Sequence, residues 1–144
     1  MQFLPLPANG ETPVRVMTIA GSDSGGAAGL QSDLRTFALA GVHGTSAVTA
    51  VTVQNSLGVT GFHPIPPETV AGQIRAVVQD IGIGAAKTGM LASSEIIGCV
   101  AETWRGLGTD AGDYSLGQEL TVDGTFEAGQ LVDRVGRDHL VGVG

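Results

Sequence analysis

Three short apolar segments alternate with three helical patterns in the first two thirds of the chain, and this alternation constrains the fold most. The apolar segments are typical of buried strands and cover residues 14–20, 45–55 and 83–91. The apolar residues at helical spacing after them are Leu30, Leu34, Phe37 and Ala38; Val70, Ile74, Val77, Val78 and Ile81; and Ile96, Ile97, Val100, Ala101 and Trp104. Because right-handed crossovers join such units, the sequence predicts an α/β fold whose mostly parallel sheet is covered by helices.

Local signals predict where these helices begin and end. Gly41 and Gly82 follow the first two apolar patterns and are expected to end those helices. Pro67 suits the first turn of the second helix, and Ser93 or Ser94 is expected to cap the third. The loops at 21–29, 53–56 and 88–92 then leave the strands at one end of the sheet, where α/β proteins bind their ligands.

The first of these loops is rich in glycine and reads AGSDSGGAAG over residues 20–29. A phosphate-binding GxxxxGK[ST] loop fits Gly21 and Gly26, but Ala27 stands where the lysine is required. The dinucleotide pattern GxGxxG is absent from the loop, and Gln54 rather than an acidic residue closes the second strand. These departures disfavour an NAD-type oxidoreductase. The small residues allow backbone amides to approach a flat or polar ligand, while an ordinary strand-to-helix turn, capped by Asp23, remains the alternative.

Charge and cysteine content exclude several classes of partner and site. The net charge of −7 disfavours non-specific binding to nucleic acid and to anionic membranes. Cys99 is the single cysteine, so the chain has no intrachain disulfide and no CxxC metal site. Cys99 itself is expected to be a buried small hydrophobe. No apolar run approaches the length that spans a bilayer, and no signal peptide is recognised, so the sequence predicts a cytoplasmic protein. A homo-oligomer remains open.

The last part of the chain differs in composition from the rest. Residues 106–144 contain 9 glycines, 7 acidic and 2 basic residues, and so carry −5 of the net charge of −7. A weak strand pattern occurs at 119–124, and no histidine has metal-ligand spacing to another. We therefore expect a flexible leader at 1–13, a folded part at 14–105 and a divergent acidic tail at 106–144.

Four stretches of the folded part carry a family resemblance: TIAGSDSGGAAGLQSDLRTF, VTAVTVQNSLGV, HPIPPETVAGQI and KTGMLAS. Together, in this order and spacing, they closely resemble the hydroxymethylpyrimidine/phosphomethylpyrimidine kinase family of thiamine biosynthesis. The resemblance covers about residues 14–105 and implies the N-terminal βα units of a three-layer ribokinase-like fold. It fits this branch better than the pyridoxal kinases.

The resemblance also implies a pyrimidine site. Backbone groups of Gly21 and Ala28 would lie against the ring, and the amide of Gln54 would pair with its polar edge. Met90 would pack on the face of the ring, with plain core packing as the alternative. Asp23 also matches an acidic position of the family and is included in the predicted substrate site.

Two charged residues near this site have plainer interpretations. Asp33 matches another acidic position of the family, but a solvated or helix-pairing carboxylate is the simpler reading. Lys87 could face the site, although a surface lysine at a strand end is favoured.

Activity is a separate matter from family membership. The resemblance implies ATP and Mg²⁺, but their binding residues are not identified in this chain. The resemblance places them in a C-terminal half, which we do not expect these 144 residues to contain. Asp113, in GTDAGD at 108–113, is a weak candidate base, and a turn after a helix is the preferred interpretation there. Three functions stay open: an active kinase, which a partner chain could complete; a non-catalytic pyrimidine-binding module; and a truncated kinase remnant.

Overall fold

The computed structural model describes residues 8–107. The strands and helices follow one another as β1 (Arg15–Ala20), α1 (Gly29–Leu39), β2 (His43–Val48), β3 (Ala50–Asn55), β4 (Gly58–Pro64), α2 (Pro67–Asp80), β5 (Ala85–Thr88) and α3 (Ser94–Gly106). Predictions for the leader up to residue 7, for Asp113 and for the rest of the tail from residue 108 onward lie outside the described residues.

β1 is the central strand of a three-stranded parallel sheet in the order β2-β1-β5. Thr18 is level with Ser46 on one side and with Lys87 on the other. Parallel neighbours joined through helices are what the alternation of patterns predicts, so the α/β fold class is confirmed.

The two faces of this sheet are covered by different helices. Met17 and Ile19 are fully buried in the core that α2 and α3 complete with Ile74 and Ile96. Thr18 points to the opposite face, because side chains alternate along a strand, and its hydroxyl reaches Asp33 of α1. The sheet therefore lies between α1 on one face and the pair α2 and α3 on the other, which makes three layers.

The helix ends follow the predicted signals. Gly41 and Gly82 have φ values of 72° and 71°, which a residue with a side chain adopts only at a cost. Pro67 is the first residue of α2, and the Ser93 hydroxyl accepts a hydrogen bond from the Ile96 amide, so Ser93 rather than Ser94 is the cap. Cys99 is only partly buried, contrary to expectation, and its Sγ donates to the Pro67 carbonyl oxygen at 3.2 Å.

The prediction of one buried strand over residues 45–55 is wrong. β2 ends at Val48. There the Gln73 side chain accepts a hydrogen bond from the Val48 amide and donates one to the Val48 carbonyl oxygen. A side chain of α2 thus bonds to the backbone groups that would otherwise pair with a further strand. The chain then turns at Thr49 and forms β3, which pairs antiparallel with the unpredicted strand β4. We call β3 and β4 together the hairpin.

The hairpin is largely outside the apolar core. Val51, Val53 and Phe62 are 50%, 63% and 57% exposed, whereas the inward-facing Ala50 and Thr52 are buried. The predicted loop at 53–56 is therefore not at the end of a strand of the parallel sheet: residues 53–55 belong to β3, and the chain turns back into β4 after them. No helix within residues 8–107 has the length and apolar composition needed to cross a bilayer.

Ile74 tests the position of the core. We expect Ile74→Ala to lower the free energy of unfolding by about 2–5 kcal/mol, because the side chain is fully buried between α2 and the sheet. Urea denaturation followed by circular dichroism measures this change. Leu39→Ala is the control, since Leu39 is 67% exposed and should change stability by no more than about 0.5 kcal/mol. Equal losses in the two variants would contradict the described core.

Candidate functional site

The glycine-rich loop, residues 21–28, lies at the carboxyl edge of the parallel sheet beside the segment that follows β5. The Gly21 amide donates to the Met90 carbonyl oxygen at 3.1 Å, and the Gly89 amide donates to the Ile19 carbonyl oxygen at 2.9 Å. These bonds hold the segment after β5 against the end of β1. Two of the three predicted loops thus meet at the predicted edge.

Asp23 organises the glycine-rich loop from within. Its side chain is 3% exposed; Oδ1 accepts from the Gly25 amide at 2.8 Å, and Oδ2 accepts from the Ala27 and Ala28 amides at 2.9 and 2.8 Å. The amides that could have surrounded a phosphate therefore point at a carboxylate of the chain itself. The loop is closed around an internal anion and is not a phosphate cradle.

The same contacts set the ionisation of Asp23. Burial acts to raise the pKa of its carboxyl, but the backbone hydrogen bonds from Ala28, Gly25, Ala27 and Gly26 outweigh burial, and the pKa lies below its ordinary value. Each of those bonds favours the charged form, so the loop is built around ionised Asp23.

Two glycines of this region permit close approach. A Cβ on Gly21 would lie 2.6 Å from Met90 Cε, so a side chain there would displace the flexible end of Met90 from the loop. Gly29 has a φ of 58°, and a Cβ there would lie 2.6 Å from the Gly21 carbonyl oxygen. Gly21 and Gly29 thus allow the loop, the start of α1 and Met90 to pack closely together.

Two serine hydroxyls join the glycine-rich loop to β3. The Ser22 amide donates to the Ala50 carbonyl oxygen at 2.8 Å, and Ser22 Oγ accepts from the Thr52 amide at 3.0 Å. Ser24 Oγ donates to the Gln54 carbonyl oxygen at 2.6 Å and accepts from the Gln54 amide at 2.8 Å. The hydroxyls replace the backbone groups of a neighbouring strand, and they bring Gln54 to the loop although β3 has left the parallel sheet.

The predicted site residues Gly21, Asp23, Ala28, Gln54 and Met90 therefore belong to one connected region. Gly21 contacts Met90, Asp23 binds the Ala28 amide, and Ser24 links the loop to Gln54. The polar backbone groups of Gly21 and Ala28 are used within the chain, since their carbonyl oxygens accept from the Leu30 and Ser32 amides. Gly21 and Ala28 therefore contribute to the shape of the region, and their backbone amides are not free to donate to a ligand.

A second polar cluster was not found from the sequence. Asp33 Oδ2 accepts from the Thr18 hydroxyl at 2.6 Å, and Lys87 Nζ lies 2.9 and 2.8 Å from the two Asp33 oxygens. Asp33 is thus neither solvated nor paired within its helix, and Lys87 is not a free surface lysine. The available signal was the spacing of Asp33 from Leu30 and Phe37, which places it on the helix face turned to the sheet.

Metal ligation has no evident place among the described residues. Residues 8–107 contain no group of three or more His, Cys, Asp or Glu side chains that could hold a metal ion.

The family profile and the curated relatives indicate the same family. The profile of the family described as phosphomethylpyrimidine kinase matches residues 23–111. A hydroxymethylpyrimidine/phosphomethylpyrimidine kinase of Mycobacterium leprae is 67% identical over 104 residues, which are 72% of this chain and 37% of that protein. The chain thus spans little more than a third of the length of this curated relative.

Solved structures that match include both phosphomethylpyrimidine kinases and pyridoxal kinases. A phosphomethylpyrimidine kinase from Clostridium difficile matches with a TM-score of 0.63 and 43% identity over 65% of this chain and 40% of that one. A Staphylococcus aureus pyridoxal kinase in complex with AMP-PCP and pyridoxal matches with a TM-score of 0.59 and 34% identity over 67% of this chain and 36% of that one. These matches confirm the ribokinase-like fold for the part of the chain that they cover.

The acidic centre of the loop leads to a prediction on pH. Because the pKa of Asp23 is lowered in the folded state, the unfolded chain binds more protons at acidic pH, and stability is lost as the pH falls through the lowered pKa. We expect wild type to have a higher free energy of unfolding than Asp23→Asn. This difference, the gap between the two proteins, should be largest at neutral pH and should become smaller as the pH falls. Urea denaturation over a pH series measures the gap. Asp80→Asn, at an exposed carboxylate, is the control; a gap independent of pH would contradict the described role of Asp23.

The second cluster leads to a prediction on stability. Asp33→Ala leaves the fully buried Thr18 hydroxyl without its acceptor and should cost about 1–3 kcal/mol. Lys87→Met removes only an ion pair whose lysine side chain is 39% exposed, and should cost about 1 kcal/mol or less. Thermal or urea unfolding measures both variants. A larger loss in Lys87→Met than in Asp33→Ala would show that the ion pair, not the buried hydroxyl, dominates the cluster.

Proposed function

This chain belongs to the phosphomethylpyrimidine kinase family, and we propose that its residues 14–105 form the pyrimidine-binding part of an enzyme of thiamine biosynthesis. The proposed reaction is the phosphorylation of hydroxymethylpyrimidine, and of its monophosphate, by ATP. The observation that carries the proposal is the meeting of Gln54, Met90 and the glycine-rich loop at one edge of the sheet, through the Ser24–Gln54 and Gly21–Met90 contacts.

The side chains at this edge suit a flat heteroaromatic ring. Gln54 is half-buried, and its side-chain Nε2 can donate to a ring nitrogen, while Oε1, which accepts from the Thr52 hydroxyl, keeps a second lone pair for a neighbouring amino group. Met90 is half-buried against Gly21, and its thioether can adapt to the face of a ring. Such a site discriminates by hydrogen bonding, since a ring without the matching polar edge would leave the amide unpaired.

Asp23 and Ala28 take an indirect part in this proposal. Both carboxylate oxygens of Asp23 accept loop amides, one of them the Ala28 amide. Asp23 therefore supports the shape of the loop, and Ala28 contributes a small surface to the pocket. Neither residue needs to form a polar bond with the ligand.

ATP and Mg²⁺ do not fit the described residues. The amides of the glycine-rich loop bind Asp23, Ala27 stands in place of a phosphate-binding lysine, and residues 8–107 hold no metal-ligand group. Phosphoryl transfer depends on positioning and on stabilisation of charge at the phosphates, and we assign no step of it to these residues. In the proposal, nucleotide binding falls to other parts of the protein, or to a partner chain, and Asp113 is the candidate base.

Titration calorimetry of the full chain with hydroxymethylpyrimidine tests the binding proposal. We expect Gln54→Ala to raise the Kd about tenfold or more, because the loss removes polar contacts from a partly desolvated site. Gln79→Ala is the matched control, since Gln79 is an exposed glutamine of α2, and it should leave the Kd unchanged. Absence of binding to wild type would contradict the proposal. A tighter complex with pyridoxal would move the assignment to pyridoxal kinases.

An ATP-consumption assay on the same samples separates the active kinase from the binding module. Turnover that disappears in Asp113→Ala would support an active kinase with Asp113 as its base. Binding without turnover would support a non-catalytic pyrimidine-binding module. A chain that neither binds nor turns over would be the kinase remnant, and the proposed function would fail.

A further inference from the structure

Thr52 is a buried hydroxyl residue that contacts both the glycine-rich loop and Gln54. It is 5% exposed and lies two residues before Gln54 on β3. The strand is irregular between Val53 and Gln54, and the contact between the two side chains shows that they nevertheless lie on the same side. Its Oγ1 lies 2.8 Å from the Ser22 carbonyl oxygen and 3.2 Å from Gln54 Oε1. One hydroxyl proton therefore serves two oxygen acceptors, in a three-centre arrangement.

The side-chain amide of Gln54 is hydrogen-bonded at its oxygen but not at its nitrogen, as far as residues 8–107 show. Thr52 engages Oε1, whereas no acceptor within residues 8–107 takes a hydrogen bond from Nε2. The backbone of Gln54 is fixed separately, because its amide and carbonyl oxygen both bond to Ser24 Oγ. The backbone of Gln54 and its side-chain oxygen are therefore both fixed by hydrogen bonds, and the two N–H groups of Nε2 can donate to another molecule.

We propose that Thr52 is a positioning residue that orients the Gln54 amide so that Nε2 is its ligand-facing donor. The ligand must then present an acceptor at this point, and a ring nitrogen of a neutral heteroaromatic compound meets that need. The identity of the ligand rests on the proposed function above, whereas the orientation of the amide rests on the Thr52 contact alone. Thr52 acts through Gln54 and need not touch the ligand.

The first test uses the protein without ligand. Nuclear magnetic resonance of the ¹⁵N-labelled full chain reports the side-chain amide signals of Gln54, which are assigned by their absence in Gln54→Ala. In wild type we expect two dispersed signals from a restrained amide, and in Thr52→Val we expect them to move toward the values of exposed glutamines. Thr52→Ser restores the hydroxyl and should restore the signals. Unchanged signals in a folded Thr52→Val would overturn the proposal.

Thr60→Val is the matched control for the loss of a threonine hydroxyl. Thr60 lies on β4 of the same hairpin, and its Oγ1 donates to the Val53 carbonyl oxygen at 3.2 Å rather than to the Gln54 side chain. Its substitution should leave the Gln54 signals in place. If Thr60→Val moves them as far as Thr52→Val does, the effect is a general loosening of the hairpin and the proposal fails.

The second test measures ligand selectivity in the full chain. The probes are hydroxymethylpyrimidine and its two analogues in which one ring nitrogen is replaced by C–H. We expect wild type to discriminate against one analogue, and Thr52→Val to lose about two- to tenfold of that discrimination, as one hydrogen bond requires. Thr52→Ser should retain it. A folded Thr52→Val with the discrimination of wild type would overturn the proposal.

Gln54→Glu keeps the test decisive if Thr52→Val does not fold. The carboxylate retains an oxygen for Thr52 but replaces the Nε2 donor with a second acceptor, which repels a ring nitrogen. We therefore expect Gln54→Glu to bind hydroxymethylpyrimidine much more weakly than wild type. Undiminished binding would show that Oε1 faces the ligand and would overturn the proposal. If wild type shows the expected amide signals but binds none of the probes, the proposed function fails while the orientation of the amide stands.

Discussion

The carboxylate of Asp23 is the interaction on which the candidate site depends. Three backbone amides of the glycine-rich loop converge on its two oxygens, at 2.8 to 2.9 Å. A loop of small residues has many accessible conformations, and an internal anion selects one of them without any bulky side chain. In this conformation Gly21 lies close to Met90. The Ser22 and Ser24 hydroxyls are then placed to bond to the backbone of β3, as a neighbouring strand would.

The second constraint is the departure of the chain from the parallel sheet at Val48. Gln73 of α2 occupies the amide and the carbonyl oxygen of Val48, so the edge of β2 is closed by a side chain. The next residues are then free to run beside the glycine-rich loop and to place Thr52 and Gln54 against it. A helix residue thus determines that the site is made from a loop and a hairpin rather than from strand ends alone.

Periodicity was sufficient to predict β1 and the three helices, because each depends on residues close in sequence; the third strand was predicted over 83–91 and is shorter, Ala85–Thr88. The parallel arrangement followed from the alternation of strands with helices. Periodicity failed at residues 45–55, where a continuous Val- and Thr-rich pattern conceals a break that depends on Gln73, far along the chain. The missing lysine at Ala27 argues against a phosphate-binding loop, and the bonds of the loop amides to Asp23 argue the same way. The Thr18–Asp33–Lys87 cluster and the Thr52 contact could not be predicted, since both need the register of strands with their neighbours.

The exposure of the hairpin has a consequence for motion. Val51, Val53 and Phe62 bury little apolar surface, and hydroxyl groups of Ser22, Ser24 and Thr52 supply much of what joins β3 to the loop. Segments with few buried apolar contacts open at a fraction of the free energy of global unfolding, so the amides of β3 and β4 should exchange with solvent well before those of β1. Each opening carries Gln54 away from the glycine-rich loop. A ligand that touches both binds only molecules whose hairpin is closed, so its apparent affinity is proportional to the closed fraction.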